Sequence, residues 1–270
     1  MEYTTLAVTL ADGIATVALD RPEKANAFTL AMWQEIRRAM AWLDETPAAR
    51  VGIVTGRGKY FSAGIDLALL AGIGEQVRDD CEGRAREKLR RLVLDLQDTL
   101  TAIERCRKPV LAAVQGPCIG GGVDLIAACD IRYCSANAYF SVKEIDVGMA
   151  ADLGTLQRLP RLVGDGLARE LAYTGRRVDG VEAQAIRLVN RCYETPEALQ
   201  QGVLAVARAI AAKSPLAMRG CKEMLNYARD HSIADGLNYV ATWNAAMLLS
   251  ADLGEAGRAG MERRAPEFKD

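Results

Sequence analysis

The feature that most constrains this chain is a change of rhythm along it. Short apolar runs alternate with helical stretches up to about residue 195, and from Pro196 onward only helical stretches follow. Leu6 to Leu10 and Ile14 to Leu19 have strand character, and Ala11-Asp12-Gly13 between them favours an antiparallel hairpin. Thr29 can cap a helix in which Met32, Ile36, Met40 and Leu43 recur at helical spacing, with Pro47 beyond its end. Val51 to Thr55 reads as a buried strand. A mixed, charged stretch around Gly72 to Gly83 precedes an amphipathic helix bearing Leu89, Leu92, Leu96, Leu100 and Ile103, which leads into the apolar strand Val110 to Gln115. Gly116 to Gly122 is a glycine-rich turn into an apolar helix through Ala128, and Ile131 to Ser135 is a further strand. This alternation predicts an α/β fold with a buried sheet. Residues 1–195 are expected to form that core and residues 196–270 a helical C-terminal subdomain, with helices over 196–212, 215–229 and 233–249.

Composition narrows the function classes. Lys plus Arg number 34 against 35 Asp plus Glu, so no global field recruits a polyanion. The basic run Arg84, Arg86, Lys88, Arg90 and Arg91 is interrupted by Glu87, is followed by Asp95 and Asp98, and lacks interleaved aromatics, which predicts a solvated helix face rather than a nucleic-acid site. No apolar run approaches the roughly 20 residues needed to cross a bilayer, so no membrane partner is expected. Seven scattered cysteines without a Cys-x-x-Cys pair, and one histidine, His231, predict reduced thiols and no metal site. The N-terminal residues carry no basic or apolar leader and the C-terminus is not Ser-Lys-Leu, so the expected location is the cytoplasm.

Two groups of residues carry chemistry. Phe61-Ser62-Ala63-Gly64-Ile65-Asp66 and Ile119-Gly120-Gly121-Gly122-Val123-Asp124 each follow a strand and open into a helix. Such junctions present free backbone N–H groups at the positive end of a helix, and two of them converging would make an oxyanion hole. Either loop taken singly reads equally well as a tight turn. The second group is acidic: Asp124, Glu144 and Asp152 lie in apolar or glycine-rich surroundings, where a carboxyl's pKa rises toward neutrality. Each also has a structural alternative. Asp124 would complement a helix dipole, Asp152 would be an N-cap, and Glu144 would pair with Lys143 or an arginine.

Taken together, in this order and spacing, these features resemble the crotonase (enoyl-CoA hydratase/isomerase) superfamily along almost the whole chain. The opening Ile14 to Pro22 with Lys24, Asn26 and Ala27, then Cys118 to Leu125, Cys129 to Cys134, Val142 to Gly148 and Ala150 to Pro160 carry the resemblance, and the dienoyl-CoA isomerase branch matches best. The resemblance implies a spiral of ββα units with a helical C-terminal trimerisation region, a homotrimer or homohexamer, and an acyl-CoA thioester as substrate. Coenzyme A is then part of the substrate and no separate cofactor is implied. It assigns the oxyanion hole to the N–H groups of Ile65 and Gly121, and coenzyme A binding to Lys24, Ala25, Ala63, Gly64, Ile65, Asp66 and Gly120. Glu144 is placed at carbon 2 and Asp152 at carbon 6 of a 3,5-dienoyl chain, with the reverse assignment open, and Asp124 beside Glu144 as an orienting or tuning charge. The implied activity is migration of two double bonds to give a 2,4-dienoyl-CoA, within fatty acid beta-oxidation. Enoyl-CoA hydration is the alternative, and RNA binding by a crotonase homologue a more distant one.

Overall fold

The structure is a computed structural model describing residues 2–270. Strands β1 (Leu6–Ala11) and β2 (Ile14–Leu19) form the expected hairpin, with Asp12 and Gly13 both at positive φ in the two-residue turn. Helix α1 (Leu30–Glu45) is capped by the Thr29 hydroxyl, which accepts from the Met32 N–H at 3.2 Å. It is followed by β3 (Val51–Gly56), α2 (Leu67–Gln76), α3 (Glu82–Arg105), β4 (Val110–Val114), β5 (Pro117–Ile119), α4 (Gly121–Ala128) and β6 (Ile131–Ser135). Next come β7 (Tyr139–Ser141), a 3-10 turn at Lys143–Val147, α5 (Thr155–Val163), α6 (Asp165–Thr174), β8 (Val178–Asp179), α7 (Gly180–Ala185) and β9 (Arg191–Tyr193). Four helices close the chain: α8 (Pro196–Ala211), α9 (Pro215–Tyr227), α10 (Ile233–Met247) and α11 (Ala251–Glu262).

The main sheet runs β1-β2-β3-β4-β6-β9, antiparallel in its first pair and parallel thereafter. A small second sheet, β5-β7-β8, stands beside the glycine-rich turn. Strand β4 shows why its sequence is apolar without alternation. Val110, Ala112 and Val114 join the core cluster that includes α1 and α3, whereas Leu111 and Ala113 pack with Leu199, Val203 and Ala207 of α8. Both faces of the sheet are covered, as parallel strands require.

Helix α9 is tied to this core by a buried cation. Lys222 Nζ donates to the carbonyls of Ile103 and Lys108, both at 3.1 Å, and to Asp130 Oδ2 at 2.7 Å. Removing one member of a buried pair leaves the other charge with an uncompensated desolvation cost. Lys222→Met is therefore expected to destabilise the chain by about 2–4 kcal/mol, which urea unfolding would measure.

The mixed, charged stretch around Gly72 to Gly83 holds the end of α2 and the start of α3. The Asp66 carboxylate caps α2 by accepting from the Ala68 N–H at 3.0 Å. None of the ten residues of α2 is buried, so no apolar stripe marks it, and Gly72 and Gly74 lower its intrinsic propensity. Helix α11 escaped notice for a related reason. Gly254, Gly257 and Gly260 recur along it, and only Ala259 is buried.

Candidate active site

Two short parallel bridges bring the glycine loops together. The Phe28 N–H donates to the Gly64 carbonyl at 2.8 Å and the Asp66 N–H to the Phe28 carbonyl at 3.0 Å, so Ile65 sits between them with its own N–H turned away from this partner. One strand over, the Ser62 N–H donates to Pro117 and the Ile119 N–H to Ser62. The fully buried Asn26 locks this arrangement: its amide nitrogen donates to the Arg57 and Tyr60 carbonyls, and its amide oxygen accepts from the Arg21 N–H. Gly120 is the N-cap of α4, with φ 52° and ψ −119°. A Cβ there would lie 3.1 Å from Glu144 Oε1, so glycine serves both the backbone and the space. Among the described residues, neither the Ile65 N–H nor the Gly121 N–H donates to a protein acceptor.

These loops open onto a cavity of about 130 Å³ lined by Ala63, Gly64, Ile65, Gly120, Gly121, Asp124, Glu144 and Asp152. The remaining walls are mostly apolar: Trp33, Leu67, Ile119, Val147, Met149 and Leu153. All three acids singled out in the sequence thus face one pocket, together with both N–H donors. Lys24, Ala25 and Asp66 do not line it. Lys24 is exposed, the Ala25 carbonyl accepts from the Ala63 N–H at 2.9 Å, and Asp66 pairs with Arg21 at 3.2 Å while capping α2. The tryptophan wall comes from α1, ninety residues from the nearest acid, and nothing local in the sequence marks it. Val147, Met149 and Leu153, by contrast, flank the acids in the chain.

Among the described residues Glu144 makes no ion pair, because Lys143 turns to Asp146 instead, and its Oε2 is buried without a partner. Burial, reinforced by the charges of Asp124 and Asp152, pushes its carboxyl up to about 7. Asp152 caps nothing, since Gly154 is the N-cap of α5, and burial raises its carboxyl. Asp124 is 1% exposed on the first turn of α4 and reaches across to α5, where its Oδ1 accepts from the Thr155 N–H at 2.6 Å. Burial lifts it to about 6, against the lowering effect of that bond. It is a helix-terminus acid as one alternative held, it also takes up a free N–H at the start of α5, and its charge contributes to raising Glu144.

Residues outside the pocket behave as bland groups. His231 is exposed and stacked on Tyr227 with ring centroids 3.6 Å apart. Cys118 is buried, and burial raises its thiol well above the usual range. In the basic run, Arg84 and Lys88 pair with Asp79, and Arg86 with Glu82.

An acid-lined, largely apolar pocket facing two free N–H groups on an α/β scaffold holds the parts that proton transfer beside a carbonyl requires. The chain belongs to the enoyl-CoA hydratase/isomerase family, which matches residues 9–270. It is 50% identical over 251 residues to the peroxisomal Delta(3,5)-Delta(2,4)-dienoyl-CoA isomerase of Arabidopsis thaliana, covering 93% of this chain and 90% of that one. It is 45% identical over 264 residues to the mitochondrial Delta(3,5)-Delta(2,4)-dienoyl-CoA isomerase of Homo sapiens, covering 97% and 80%. The crystal structure of enoyl-CoA hydratase from Bacillus anthracis superposes with a TM-score of 0.89 at 30% identity, covering 98% of this chain and 99% of that one. The cytoplasmic location expected from the termini is overturned, because these isomerases are named as peroxisomal and mitochondrial proteins. Short terminal signals are a weak basis for placing a chain whose relatives occupy organelles.

Proposed function

We propose that the protein is an isomerase converting 3,5-dienoyl-CoA into 2,4-dienoyl-CoA in fatty acid beta-oxidation. The observation that carries this reading is the presence of the Asp152 carboxyl in the same apolar pocket as Glu144 and the two free N–H groups. Moving both double bonds takes a proton from carbon 2 and returns one to carbon 6. The electron pair of the broken C–H bond travels along the conjugated chain, and the thioester oxygen carries the negative charge in between. Ile65 and Gly121 donate to that oxygen, Glu144 as carboxylate accepts the carbon 2 proton, and Asp152 as acid delivers the carbon 6 proton. The substrate loses one proton and gains one without change of oxidation state, so the step needs no cofactor, and the proton left on Glu144 is exchanged back to Asp152 through solvent before the next turnover. Lys24, Ala25 and the loop from Ala63 to Asp66 hold the coenzyme A portion outside the acyl pocket.

Asp124 supports isomerisation over hydration. Its carboxylate is engaged by the α5 backbone, which limits its use in placing a water molecule beside Glu144. The experiment is to add a 3,5-dienoyl-CoA to the purified protein and follow the ultraviolet band of the conjugated 2,4-dienoyl thioester. Growth of the band supports the proposal. Hydration of a 2-enoyl-CoA with no such band replaces isomerisation with hydratase activity.

A homotrimer or homohexamer fits the same reading. Ile233 and Leu237 on α10 and the following Leu249 are 83%, 63% and 93% exposed, and α10 buries no residue within its own chain. Apolar side chains so placed are accounted for by contact with a second copy, which light scattering would detect.

A base at about 7 also predicts the pH dependence. Glu144 acts only when ionised, so kcat/KM rises with pH through about 7. Asp124→Asn keeps an oxygen for the Thr155 N–H but removes a charge that raises Glu144. The rising limb is expected to move to lower pH in this variant, as a kcat/KM profile would show. A limb that stays in place would exclude Asp124 as a tuning charge.

A further inference from the structure

We propose that Gln97, Glu104 and Arg158 are positioning residues for Asp152, forming a clamp that holds the acid-bearing segment on the active-site side of a thin wall. The reaction assigned to Asp152 rests on the isomerase reading, whereas the clamp itself rests on the following geometry. Residues 150–154 belong to no helix or strand. Two of their carbonyls are held by side chains: Gln97 Nε2 donates to the Asp152 carbonyl at 2.6 Å, and Arg158 Nη1 to the Leu153 carbonyl at 3.2 Å. Arg158 Nη2 is fixed in turn by Glu104 Oε2 at 2.8 Å, and Glu104 Oε1 pairs with Arg229. Gln97 and Glu104 lie two turns apart on one side of α3, whose buried Leu96, Leu100 and Ile103 anchor it in the core. Burial works against the Glu104 carboxylate, but Arg158 and Arg229 outweigh it and hold Glu104 below its ordinary range.

The need for a clamp follows from what lies behind the segment. A cavity of about 500 Å³ is lined by Gln97, Glu104, Leu153, Gly154 and Arg158. Leu153 also lines the catalytic pocket, so the two spaces are separated by a wall one residue thick. Released from its side-chain partners, the segment has more room on the wrong side than on the right one. Gly154 is part of the same device. Its φ is 124°, and a Cβ there would lie 1.7 Å from Arg158 Nη1, so the guanidinium reaches the Leu153 carbonyl only across a glycine.

Gln97→Leu, Arg158→Met and Arg158→Lys in the full-length protein test this. One measurement is steady-state turnover of a 3,5-dienoyl-CoA. The other is the titration of the Asp152 carboxyl, followed by NMR of carboxyl-labelled aspartate and assigned by its loss in Asp152→Asn. A displacement of about 1 Å costs on the order of 10²-fold, so Gln97→Leu and Arg158→Met are expected to lower kcat by about that factor with KM little changed. The Asp152 titration should move down as the segment opens to water, and Arg158→Lys should recover part of the loss. Wild-type kcat and Asp152 titration in folded Gln97→Leu and Arg158→Met would overturn the proposal. Gln97→Leu removes no charge and carries the test alone if Arg158→Met does not fold. If the wild-type protein fails to isomerise the substrate, the functional reading falls, and the Asp152 titration in Gln97→Leu still decides whether the clamp exists.

Discussion

Asp152→Asn is expected to lower turnover of a 3,5-dienoyl-CoA by about 10³-fold or more while leaving KM nearly unchanged, because general acid–base groups contribute roughly 10²–10⁴-fold and an amide cannot deliver the proton. The substitution suits the question because it preserves shape. The Gln97 bond goes to the backbone carbonyl of residue 152 and survives the change, so the segment keeps its position. Burial raises the carboxyl of Asp152, so the pocket already penalises a charge at this position and the neutral amide costs little stability. A kinetic loss without a folding loss is therefore the expected pattern, read from steady-state rates alongside a thermal melt. Loss of less than about tenfold would remove Asp152 from the proton path and return the chain to two-acid chemistry at Asp124 and Glu144. Retained hydration of a 2-enoyl-CoA in the same variant would then identify that chemistry.

How far the site was legible in the sequence depended on whether a residue's role is local. Thr29, Asp12 and Gly13 act on their immediate neighbours, and their elements were found where the residues stood. Helix α2 opens after Asp66 as its loop implied, but its extent through Gln76 was not visible, because it lacks the buried stripe that makes periodicity readable. The three acids stood out because apolar sequence neighbours imply burial for a short segment. Their partners did not stand out. That Asp124 would bind the start of α5 at Thr155, that Lys143 would turn to Asp146 and leave Glu144 alone, and that Gln97 would hold Asp152 from α3 are consequences of long-range packing. The pairing of the Ile65 and Gly121 loops lies between these cases. Each loop was visible as a glycine-rich junction, but their convergence depends on Phe28 and Ser62 bridging strands far apart in the chain. The same holds for Asp66, whose pairing with Arg21 and cap on α2 depend on packing across the chain.

Glu144→Gln is expected to move activity and stability in opposite directions, which a purely structural glutamate would not do. Removing the base at carbon 2 should lower kcat by about 10³–10⁴-fold. The stability argument runs through proton binding. Folding lifts this carboxyl from 4.5 to about 7, so between those values the native state holds a proton that the unfolded state has released. Stability from this group is complete below about 4.5 and is lost as pH rises through about 7, a fall of roughly 3 kcal/mol at 1.36 kcal/mol per unit. Glutamine does not titrate, so the variant should lack this part of the decline, and urea unfolding at pH 5 and pH 8 would show the difference between the two proteins. The amide inherits the partnerless position of Glu144 Oε2, which offsets some of the gain at any single pH but leaves the pH slope as the signature. Glu144→Asp separates charge from reach. It restores an ionisable group but withdraws it by one methylene, so it should regain the pH dependence of stability and remain about 10²-fold slow. If Glu144→Gln kept most of its activity, or declined in stability with pH as steeply as the wild type, the carboxyl at this position would be neither the base nor the buried acid that the pocket makes it.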